Sequence, residues 1–491
     1  MNIAPQIAAA VAAEPDTILI DGMRGGARSG RLIPVVDAAT GEVFAALSAG
    51  GAAEIDAAVA SARAASEGGW ATSDPLVRGR LLIRLSELIL AHKDELACIE
   101  ARDVGKPLKQ ALADIDSCAR YFEFYGTAAD KLHGETIPYR PGFTVIVTRE
   151  PWGVTGHIIP WNYPVQIMGR SVGAALAAGN ACVVKPAEDA SLSIVRIGEL
   201  ALEAGLPPGV FNVVTGYGAE AGAALAAHPG IDHISFTGSP VTGAAVQVAA
   251  AKNNTSVTME LGGKSPQIVF ADADIEAALP VLQAAIVQNA GQTCSAGSRL
   301  LVERPIYDQL VPRLAAAFRA LTCGPGLDNP DCGPLVNGKQ HARVNAMLAD
   351  AAAAGVATIA EGQMVPGASP NGFFVTPRLL GPVAVDAPIA QDEIFGPVLV
   401  VIPFDGEDEA VRIANGTAYG LAAGVWTADG ARQMRMVHKI RAGQVYINNY
   451  GAGGGVELPF GGYKKSGFGR EKGIEGLKSF TVLKTATFRH G

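Results

Sequence analysis

The sequence predicts an α/β protein that contains two regions with parallel β-sheets. Short, apolar, β-branched runs alternate with helical stretches rich in small residues, a pattern typical of βαβ units. The alternation occurs twice along the chain, and 491 residues are too many for one ordinary core. A hydrophobic content of 49% with 18% charged residues permits large buried cores and argues against global disorder.

The first region of alternation is preceded by a long helical stretch. Leucines at near-helical spacing, such as Leu82 and Leu85, predict helices within residues 75–132. Beyond that stretch, the pattern predicts strands at 144–148, 154–159, 181–184, 210–214 and 233–236, and helices at 171–178, 191–204 and 219–227.

The second region has the same alternation. Its predicted strands are 267–270, 300–302, 398–402 and 445–447, and helices such as 306–320 and 341–354 separate them. The tail, residues 479–488, also has strand character, and the segment 137–148 offers another strand. Because an unpaired strand edge tends to pair with further strands, both segments are candidates for such pairing.

Charge and targeting signals exclude several classes of function. A net charge of −8 disfavours nucleic acid and anionic membranes as partners. Residues 1–14 contain no Lys or Arg, and no apolar run of about 18 residues occurs, so a cytoplasmic protein without a membrane span is predicted. The six cysteines are sparse and form no CxxC pair, which argues against a disulfide framework or a zinc cluster. No metal site is predicted.

One cysteine is a candidate nucleophile. In Gly291-Gln292-Thr293-Cys294, the cysteine follows small residues and a glycine. Such a segment can form an exposed turn whose backbone amides stabilise the thiolate, which is the reactive form. The alternative is a packed cysteine, because free cysteine is among the most buried residue types.

Two further residues are candidates for general-base and oxyanion roles. Glu260 precedes Gly262 and Gly263, and a glutamate at such a flexible position can act as a base. Asn162 lies between two prolines that stiffen its loop, so its amide is a candidate oxyanion donor. The alternatives are a surface glutamate and an ordinary turn.

A dinucleotide site is predicted beside the first strands. Lys185 and Glu188 follow the strand 181–184, where nucleotides bind in open α/β sheets. A carboxylate there accepts hydrogen bonds from ribose hydroxyls and repels a 2′-phosphate, which favours NAD over NADP. Gly238, Ser239 and Gly243 follow another strand and open a helix, whose N-terminus can receive a pyrophosphate.

Taken together, these motifs resemble the aldehyde dehydrogenase superfamily. The resemblance runs from Asp21 to Phe488 and includes the segments FTGSPVTG, ELGGKSP, GQTC, EIFGPV and PFGGYKKSG. It implies an aldehyde dehydrogenase-like fold with a Rossmann-like NAD-binding domain (1–129 and 151–261) and an α/β catalytic domain (262–470). It also implies a small β bridging element (130–150 and 471–491) that pairs with a neighbouring subunit in a homodimer or homotetramer.

The resemblance also assigns roles by position. It implies that Cys294 forms a thiohemiacetal and then a thioester, that Asn162 and the backbone amide of Cys294 bind the oxyanion, and that Glu260 activates the hydrolytic water. The branch that transfers the acyl group to coenzyme A typically lacks this glutamate, so Glu260 favours release of the acid. The implied cofactor contacts are Ile159, Trp161, Lys185, Glu188, Gly238, Ser239, Gly243, Leu261, Glu393 and Phe395.

The implied substrate channel contains Tyr163, Arg170, Gln288 and Ser295. Succinic-semialdehyde dehydrogenases resemble this chain in having an arginine at position 170, and its planar fork suits a substrate carboxylate. Those enzymes carry Arg and Ser where this chain has Gln288 and Gly455. We therefore predict a weak preference for acid-bearing aldehydes.

The alternatives are an aromatic or aliphatic aldehyde, with Arg170 paired to a protein carboxylate. From other classes, the alternatives are a cysteine hydrolase or esterase that uses His157 or His233, and a non-catalytic binding protein on this fold.

Overall fold

The computed structural model describes residues 15–451 and 455–491, and within these ranges the chain forms sheets of eight, seven and three strands. Residues 1–14, from which the cytoplasmic location is predicted, lie outside the described residues. Strands and helices are numbered here in chain order. The helices are α1 (Ala52–Ala65), α2 (Pro75–Ala91), α3 (Lys93–Val104), α4 (Leu108–Ala128), α5 (Pro164–Ala178), α6 (Leu192–Glu203), α7 (Ala223–Ala227), α8 (Pro240–Ala251), α9 (Ile275–Val287), α10 (Arg304–Ala320), α11 (Gly338–Ala353), α12 (Pro388–Gln391), α13 (Gly406–Asn415), α14 (Gly430–Lys439) and α15 (Gly473–Ser479).

The first sheet carries the predicted dinucleotide motifs. Its strand order is β2 (Met23–Gly25), β1 (Ile18–Ile20), β9 (Phe211–Val213), β8 (Ala181–Pro186), β7 (Val154–Ile159), β10 (His233–Thr237), β11 (Ser256–Glu260) and β21 (Gly467–Phe468). The strands from β9 to β11 are parallel to one another. Both β7 and β8 are buried along their whole lengths, which explains their continuous apolar runs.

The long helical stretch before this sheet is divided into three helices. Gly105 ends α3 with φ 88°, a left-handed conformation that glycine adopts without steric cost. Pro107 then precedes α4. Helices α2 and α4 pack against each other and against α5, so Leu82 and Leu85 are buried, whereas Leu90 is exposed.

The second sheet follows directly from the first. Its strand order is β15 (Thr358–Glu361), β17 (Arg378–Leu380), β18 (Val398–Phe404), β13 (Arg299–Glu303), β12 (Pro266–Val269), β19 (Ala422–Trp426) and β20 (Gln444–Ile447). The strands from β17 to β20 are parallel. Residues 261–265 connect β11 of the first sheet to β12 of the second, so this short segment crosses the junction between the sheets.

The third sheet confirms the strand character of the tail. Its order is β22 (Thr481–Arg489), β6 (Phe143–Pro151) and β5 (Glu135–Ile137). The predicted strand at 137–148 is in fact two strands, β5 and β6, and β22 pairs with β6 antiparallel from Thr481 to Arg489. Most residues of β22 and all residues of β5 are exposed.

Two small sheets complete the described part, β3 (Leu32–Val36) with β4 (Val43–Ser48) and β14 (Thr322–Cys323) with β16 (Gln363–Met364). None of the described helices combines the length and the apolar composition needed to cross a bilayer.

Candidate active site

The topology of the first sheet creates a crevice between β7 and β10. The chain adds β8 and β9 on one side of β7, and then crosses to add β10 and β11 on the other side. In open parallel sheets, ligands bind at such a switch point, beyond the carboxyl ends of the strands. Ile159, Trp161 and Asn162 follow β7, and Gly238 and Ser239 follow β10, so the fold places these predicted residues around one crevice.

Asn162 is fixed in a buried loop by hydrogen bonds. Its side-chain Nδ2 donates to the main-chain carbonyl of Gln292 at 2.9 Å. The main-chain carbonyl of Asn162 accepts a hydrogen bond from Nδ2 of Asn289 at 2.8 Å. The side chain is therefore held beside the segment that leads to Cys294. Because Asn162 is buried as well as hydrogen-bonded, the segment between the two prolines holds this side chain in place and is not an ordinary surface turn.

Three consecutive residues that lead to Cys294 have left-handed backbones. The φ angles are 49° at Asn289, 54° at Ala290 and 71° at Gly291. This conformation is uncommon for a residue with a side chain, Ala290 in particular. A Cβ atom on Gly291 would lie 2.1 Å from the carbonyl oxygen of Gly396, so the GQTC and EIFGPV segments are in backbone contact.

Cys294 is half-buried, at the edge of a cavity. Burial raises the pKa of its thiol to about 12, against a lowering effect of Arg170 and of the Ser295 amide. The expectation that this turn favours the thiolate is therefore wrong for the free site. Desolvation outweighs the nearby amide and cation, so the thiol is protonated at neutral pH.

Glu260 lies at the carboxyl end of β11 and is 2% exposed. Neither of its carboxylate oxygens has a hydrogen-bond partner among the described residues. Burial, followed by the charge of Glu471, raises its pKa well above the usual value, and Arg170 and Arg470 oppose the shift. A carboxylate in this environment is a stronger base than an exposed glutamate.

The two glycines after Glu260 are required by close approach. A Cβ on Gly262 would lie 2.2 Å from a carboxylate oxygen of Glu393, and one on Gly263 would lie 2.4 Å from the carbonyl oxygen of Cys294. The backbone amide of Gly263 donates to Glu393 Oε1 at 2.9 Å. The ELGG segment therefore brings Glu260, Cys294 and Glu393 into one region.

Glu393 and two aromatic residues form one wall of the crevice. Trp161 and Phe395 are in edge-to-face contact, with ring centroids 5.3 Å apart. Phe395 has a φ of 58°, an uncommon angle for an aromatic residue. Burial raises the pKa of Glu393 to about 7, against the lowering effect of the Gly263 amide.

Lys185 and Glu188 form a pair at the carboxyl end of β8. Lys185 Nζ donates to Glu188 Oε2 at 3.0 Å, and the amide of Gly218 also donates to this carboxylate. Burial alone would raise the pKa of Glu188, but the Lys185 charge and the N–H donors lower it below its usual value. Glu188 is therefore ionised at neutral pH.

Ser239 caps the helix that follows β10. Its hydroxyl accepts from the amide of Thr242, and Pro240 occupies the first turn of α8. Gly243 packs against Leu261, since a Cβ there would lie 2.6 Å from Leu261 Cδ2. The predicted turn thus joins α8 to the segment after Glu260.

A cavity of about 290 Å³ opens onto Cys294. Tyr163 lies on one side, with its hydroxyl 2.8 Å from Thr293 Oγ1. The carbonyl of Ser295 accepts from the Tyr450 hydroxyl at 2.6 Å, and Gln288 is exposed at the cavity. The lining is Tyr163, Gln166, Ile167, Arg170, Pro280, Val281, Ala284, Ala285, Gln288, Thr293, Cys294, Ser295, Tyr450, Gly451 and Phe460.

Arg170 lines this cavity, but its charge is already paired. Its guanidinium forms a buried ion pair with Glu471, and it donates to Thr237 Oγ1 at 3.2 Å. The sequence allowed two partners for Arg170, a substrate carboxylate or a protein carboxylate. In the structure, its partner is the protein carboxylate Glu471.

The two histidines of the hydrolase alternative lie in a buried aromatic cluster. His157 contacts Thr155 and stacks on Phe480, and His233 stacks on Trp152. Burial lowers the pKa of His157 to about 3 and that of His233 to about 4. These contacts give both rings a packing role.

Three residues of the site were not predicted from the sequence. Asn289 holds the Asn162 loop, and an Asn before Ala-Gly is a signal for left-handed backbone. Lys264 is 2% exposed, and burial lowers its pKa to about 7. Glu471 is 1% exposed but lies between Arg470 and Lys472, and a charged tripeptide gives no sign of burial.

A switch-point crevice in an open parallel sheet, with a half-buried cysteine and a buried carboxylate beside it, is the arrangement expected of a dinucleotide-dependent oxidoreductase. Residues 26–486 match the Aldehyde dehydrogenase family, and the chain belongs to that family of NAD(P)-dependent enzymes.

Relatives with curated names cover nearly the whole chain. The chain is 42% identical to aldehyde dehydrogenase family 2 member B4, mitochondrial, of Arabidopsis thaliana, over 95% of this chain and 87% of the relative. It is also 42% identical to benzaldehyde dehydrogenase, mitochondrial, of Antirrhinum majus, over 96% and 89%.

Solved structures agree in fold. A crystal structure of a Burkholderia cenocepacia protein, provisionally described as an aldehyde dehydrogenase, is 62% identical, with a TM-score of 0.96 and coverage of 96% of this chain and 100% of that chain. Betaine aldehyde dehydrogenase from Staphylococcus aureus, solved in complex with NAD+, is 32% identical, with a TM-score of 0.97 and coverage of 100% and 98%.

Proposed function

We propose that this protein oxidises an aldehyde to its carboxylic acid with NAD, through a thioester on Cys294 that Glu260 hydrolyses. The observation that carries the proposal is Glu260, a buried carboxylate without a hydrogen-bond partner among the described residues, in the same region as the Cys294 thiol. Such a group is costly to bury and serves as a proton acceptor.

In the first step, the sulfur of Cys294 bonds to the aldehyde carbon to give a thiohemiacetal. The thiol proton passes to a base, and Glu260 is the carboxylate whose raised pKa suits that task. The oxyanion receives hydrogen bonds from Asn162 and the backbone amide of Cys294. The Asn162 amide has a second N–H beyond the one bound to Gln292.

The residues of the crevice fit NAD. An ionised Glu188 suits ribose hydroxyls and repels a 2′-phosphate, so NAD is favoured over NADP. The start of α8 at Ser239 suits the pyrophosphate, and Lys185, Trp161, Glu393 and Phe395 complete the cradle with Ile159, Gly238, Gly243 and Leu261. Bound NAD supplies the acceptor for the aldehyde hydride, which leaves a thioester on Cys294.

Before the last step, Glu260 releases the thiol proton to solvent. It then removes a proton from water, the water oxygen bonds to the thioester carbon, and the bond to Cys294 sulfur breaks. The acid leaves, and the proton held by Glu260 returns to the sulfur and restores the thiol.

We also propose that the chain divides into a cofactor domain (1–129 and 151–261), a catalytic domain (262–470) and a bridging element (130–150 and 471–491).

For the substrate, the cavity supports an uncharged aromatic or aliphatic aldehyde. Tyr163, Ile167, Tyr450 and Phe460 offer apolar and aromatic surface, and among the described lining residues the only cation, Arg170, is already paired. An acid-bearing semialdehyde is the second candidate, since Arg170 still borders the cavity.

We also propose a homo-oligomer. The third sheet presents mostly exposed strands, and α8 presents Val241 and Val248, which are 84% and 64% exposed. Exposed edges and apolar helix faces of this kind favour subunit contacts. Because relatives include mitochondrial proteins, the cytoplasmic location stays a prediction.

The test is NADH formation with benzaldehyde, a medium-chain aliphatic aldehyde and succinic semialdehyde, each with NAD or NADP. Cys294→Ala should abolish the activity, and Cys98→Ala, another partly exposed cysteine, should retain it. NADH formation that survives Cys294→Ala would contradict the mechanism. Thiol-dependent ester cleavage without any NADH formation would favour the hydrolase alternative. A better rate on succinic semialdehyde than on benzaldehyde would favour the second substrate class.

A further inference from the structure

The ion pair between Arg170 and Glu471 is buried beside the reacting groups. Arg170 comes from α5 and is 7% exposed, and Glu471 precedes α15 and is 1% exposed. Ser235 donates to Glu471 Oε1 at 2.6 Å, and Arg170 donates to Thr237. The pair is therefore held at both ends by side chains of one strand, β10.

The register of the first sheet places this pair next to Glu260. Thr237 of β10 lies opposite Glu260 of β11, and Ser235 lies opposite Thr258. Because side chains alternate along a strand, residues 235, 237, 258 and 260 share one face of the sheet. On its other side, Glu260 lies opposite Gly467, four residues before Glu471 along the chain.

The pair leaves little of the Arg170 charge for a ligand. Its guanidinium carbon lies 5.1 Å from the ring centroid of Phe460, and Glu471 occupies its edge. Breaking a buried pair to bind a substrate carboxylate would leave Glu471 uncompensated, at a cost that commonly exceeds the gain from the new contact. Substrate binding is thus a poor account of this arginine.

We propose that Arg170 and Glu471 are positioning residues, a matched pair of charges that keeps Glu260 ready to accept a proton. The proposal rests on the proposed function of Glu260 as the base. It gives a role to Arg170, which lines the cavity although its charge is already paired with Glu471.

The two charges act on Glu260 in opposite directions. After burial, the Glu471 carboxylate is the main cause that raises the pKa of Glu260, whereas Arg170 and then Arg470 lower it. Arg170 also lowers the pKa of the Cys294 thiol. Other charged groups near the pair are Lys472, which lies 5.9 Å from the Phe460 ring, and Glu457, which acts on Lys472.

A matched pair predicts opposite effects of its two halves. Arg170→Met leaves the Glu471 charge uncompensated, so Glu260 should hold its proton more tightly. Glu471→Gln leaves the Arg170 charge uncompensated, so Glu260 should lose its proton more easily. A residue that acted only by packing would lower the rate without moving the titration in opposite directions.

The test is the pH dependence of acyl-enzyme hydrolysis with benzaldehyde, measured as kcat and as acid release in a single turnover. The acidic limb should move up by about one pH unit in Arg170→Met and down by about one pH unit in Glu471→Gln. The double variant should return towards the parent profile, and Arg170→Lys should keep most of it. Arg196→Met, which removes an arginine paired with Glu95 at a distant site, should leave the limb in place.

Three outcomes would overturn the proposal. The first is an unmoved limb, or limbs that move in the same direction, in folded single variants. The second is an Arg170→Lys enzyme that folds and moves the limb as far as Arg170→Met does, although it keeps the positive charge beside Glu471. The third is a KM effect of Arg170→Met restricted to succinic semialdehyde, which would make Arg170 a substrate contact. Failure of the proposed function is distinct, because Glu260→Gln would then show the parent profile.

Discussion

The proposed cofactor end and the proposed reacting centre of this site differ in how their polar groups are hydrogen-bonded. At the cofactor end, Glu188 already accepts from Lys185 and Gly218, and Ser239 caps its helix. At the reacting centre, Glu260 has no hydrogen-bond partner among the described residues, and Cys294 carries a thiol with a raised pKa.

This difference follows from the proposed role of each region, which is ligand binding at the cofactor end and proton transfer at the reacting centre. A group that binds a ligand of constant charge is best pre-ordered, because the cost of ordering is then not incurred on binding. A group that must accept a proton gains from burial, because desolvation makes it a stronger base. The reacting centre therefore holds groups that weaken the fold, whereas the cofactor end holds groups that support it.

The largest expected effect comes from Glu260→Gln. The steady-state rate should fall by about 10²–10⁴-fold, since general-base catalysis contributes that much. The apparent melting temperature should stay equal or rise, because the change removes an unpaired buried carboxylate. Steady-state NADH formation and thermal scanning check both parts, with the exposed Glu87→Gln as control. A variant that loses both rate and stability would place Glu260 among the structural residues.

The Gly263 contact tests whether the segment that joins the two sheets must lie close to the Cys294 segment. Gly263→Ala should lower kcat by about 10²-fold, because a displacement of about 1 Å can cost that much, and the added Cβ would lie 2.4 Å from the Cys294 carbonyl oxygen. Gly430→Ala is the matched control, because no heavy atom lies within 4 Å of a Cβ there. Equal kinetics in the two variants would contradict the tight junction.

Motifs and periodicity were sufficient for part of this site. The apolar, β-branched runs predicted the strands β7, β8 and β10. The glycines beside Glu260 and Cys294 marked both segments as candidate parts of the site, because close backbone contact restricts the residue type to glycine. The protonation of Cys294 was mispredicted, since desolvation depends on atoms from distant segments. The partner of Arg170 was equally hidden, because Glu471 lies far along the chain in a charged stretch.

At the cofactor end, Glu188→Gln should weaken NAD binding by about 10–100-fold and reduce discrimination against NADP. The variant replaces a charge-assisted acceptor by a neutral one, and such hydrogen bonds contribute about 1.5–3 kcal/mol. The Kd for each dinucleotide, measured by titration calorimetry, checks this prediction. Glu203→Gln is the control, since this glutamate lies at the end of α6. Unchanged NAD affinity would remove Glu188 from the ribose site.

The smallest expected effect is the pH dependence that Glu393 gives to NAD binding. Burial raises its pKa to about 7, so its ionised fraction rises about tenfold between about pH 6 and about pH 8. Only the ionised form accepts hydrogen bonds with both oxygens, so NAD affinity should increase across this range by up to about tenfold. Glu393→Gln should abolish the increase. Glu188→Gln should keep it, because Glu188 is ionised throughout. If the increase persisted in Glu393→Gln and vanished in Glu188→Gln, the carboxylate that titrates near neutral pH would be Glu188 and not Glu393. That result would contradict the assignment of Glu188 as the pre-ordered, permanently ionised group.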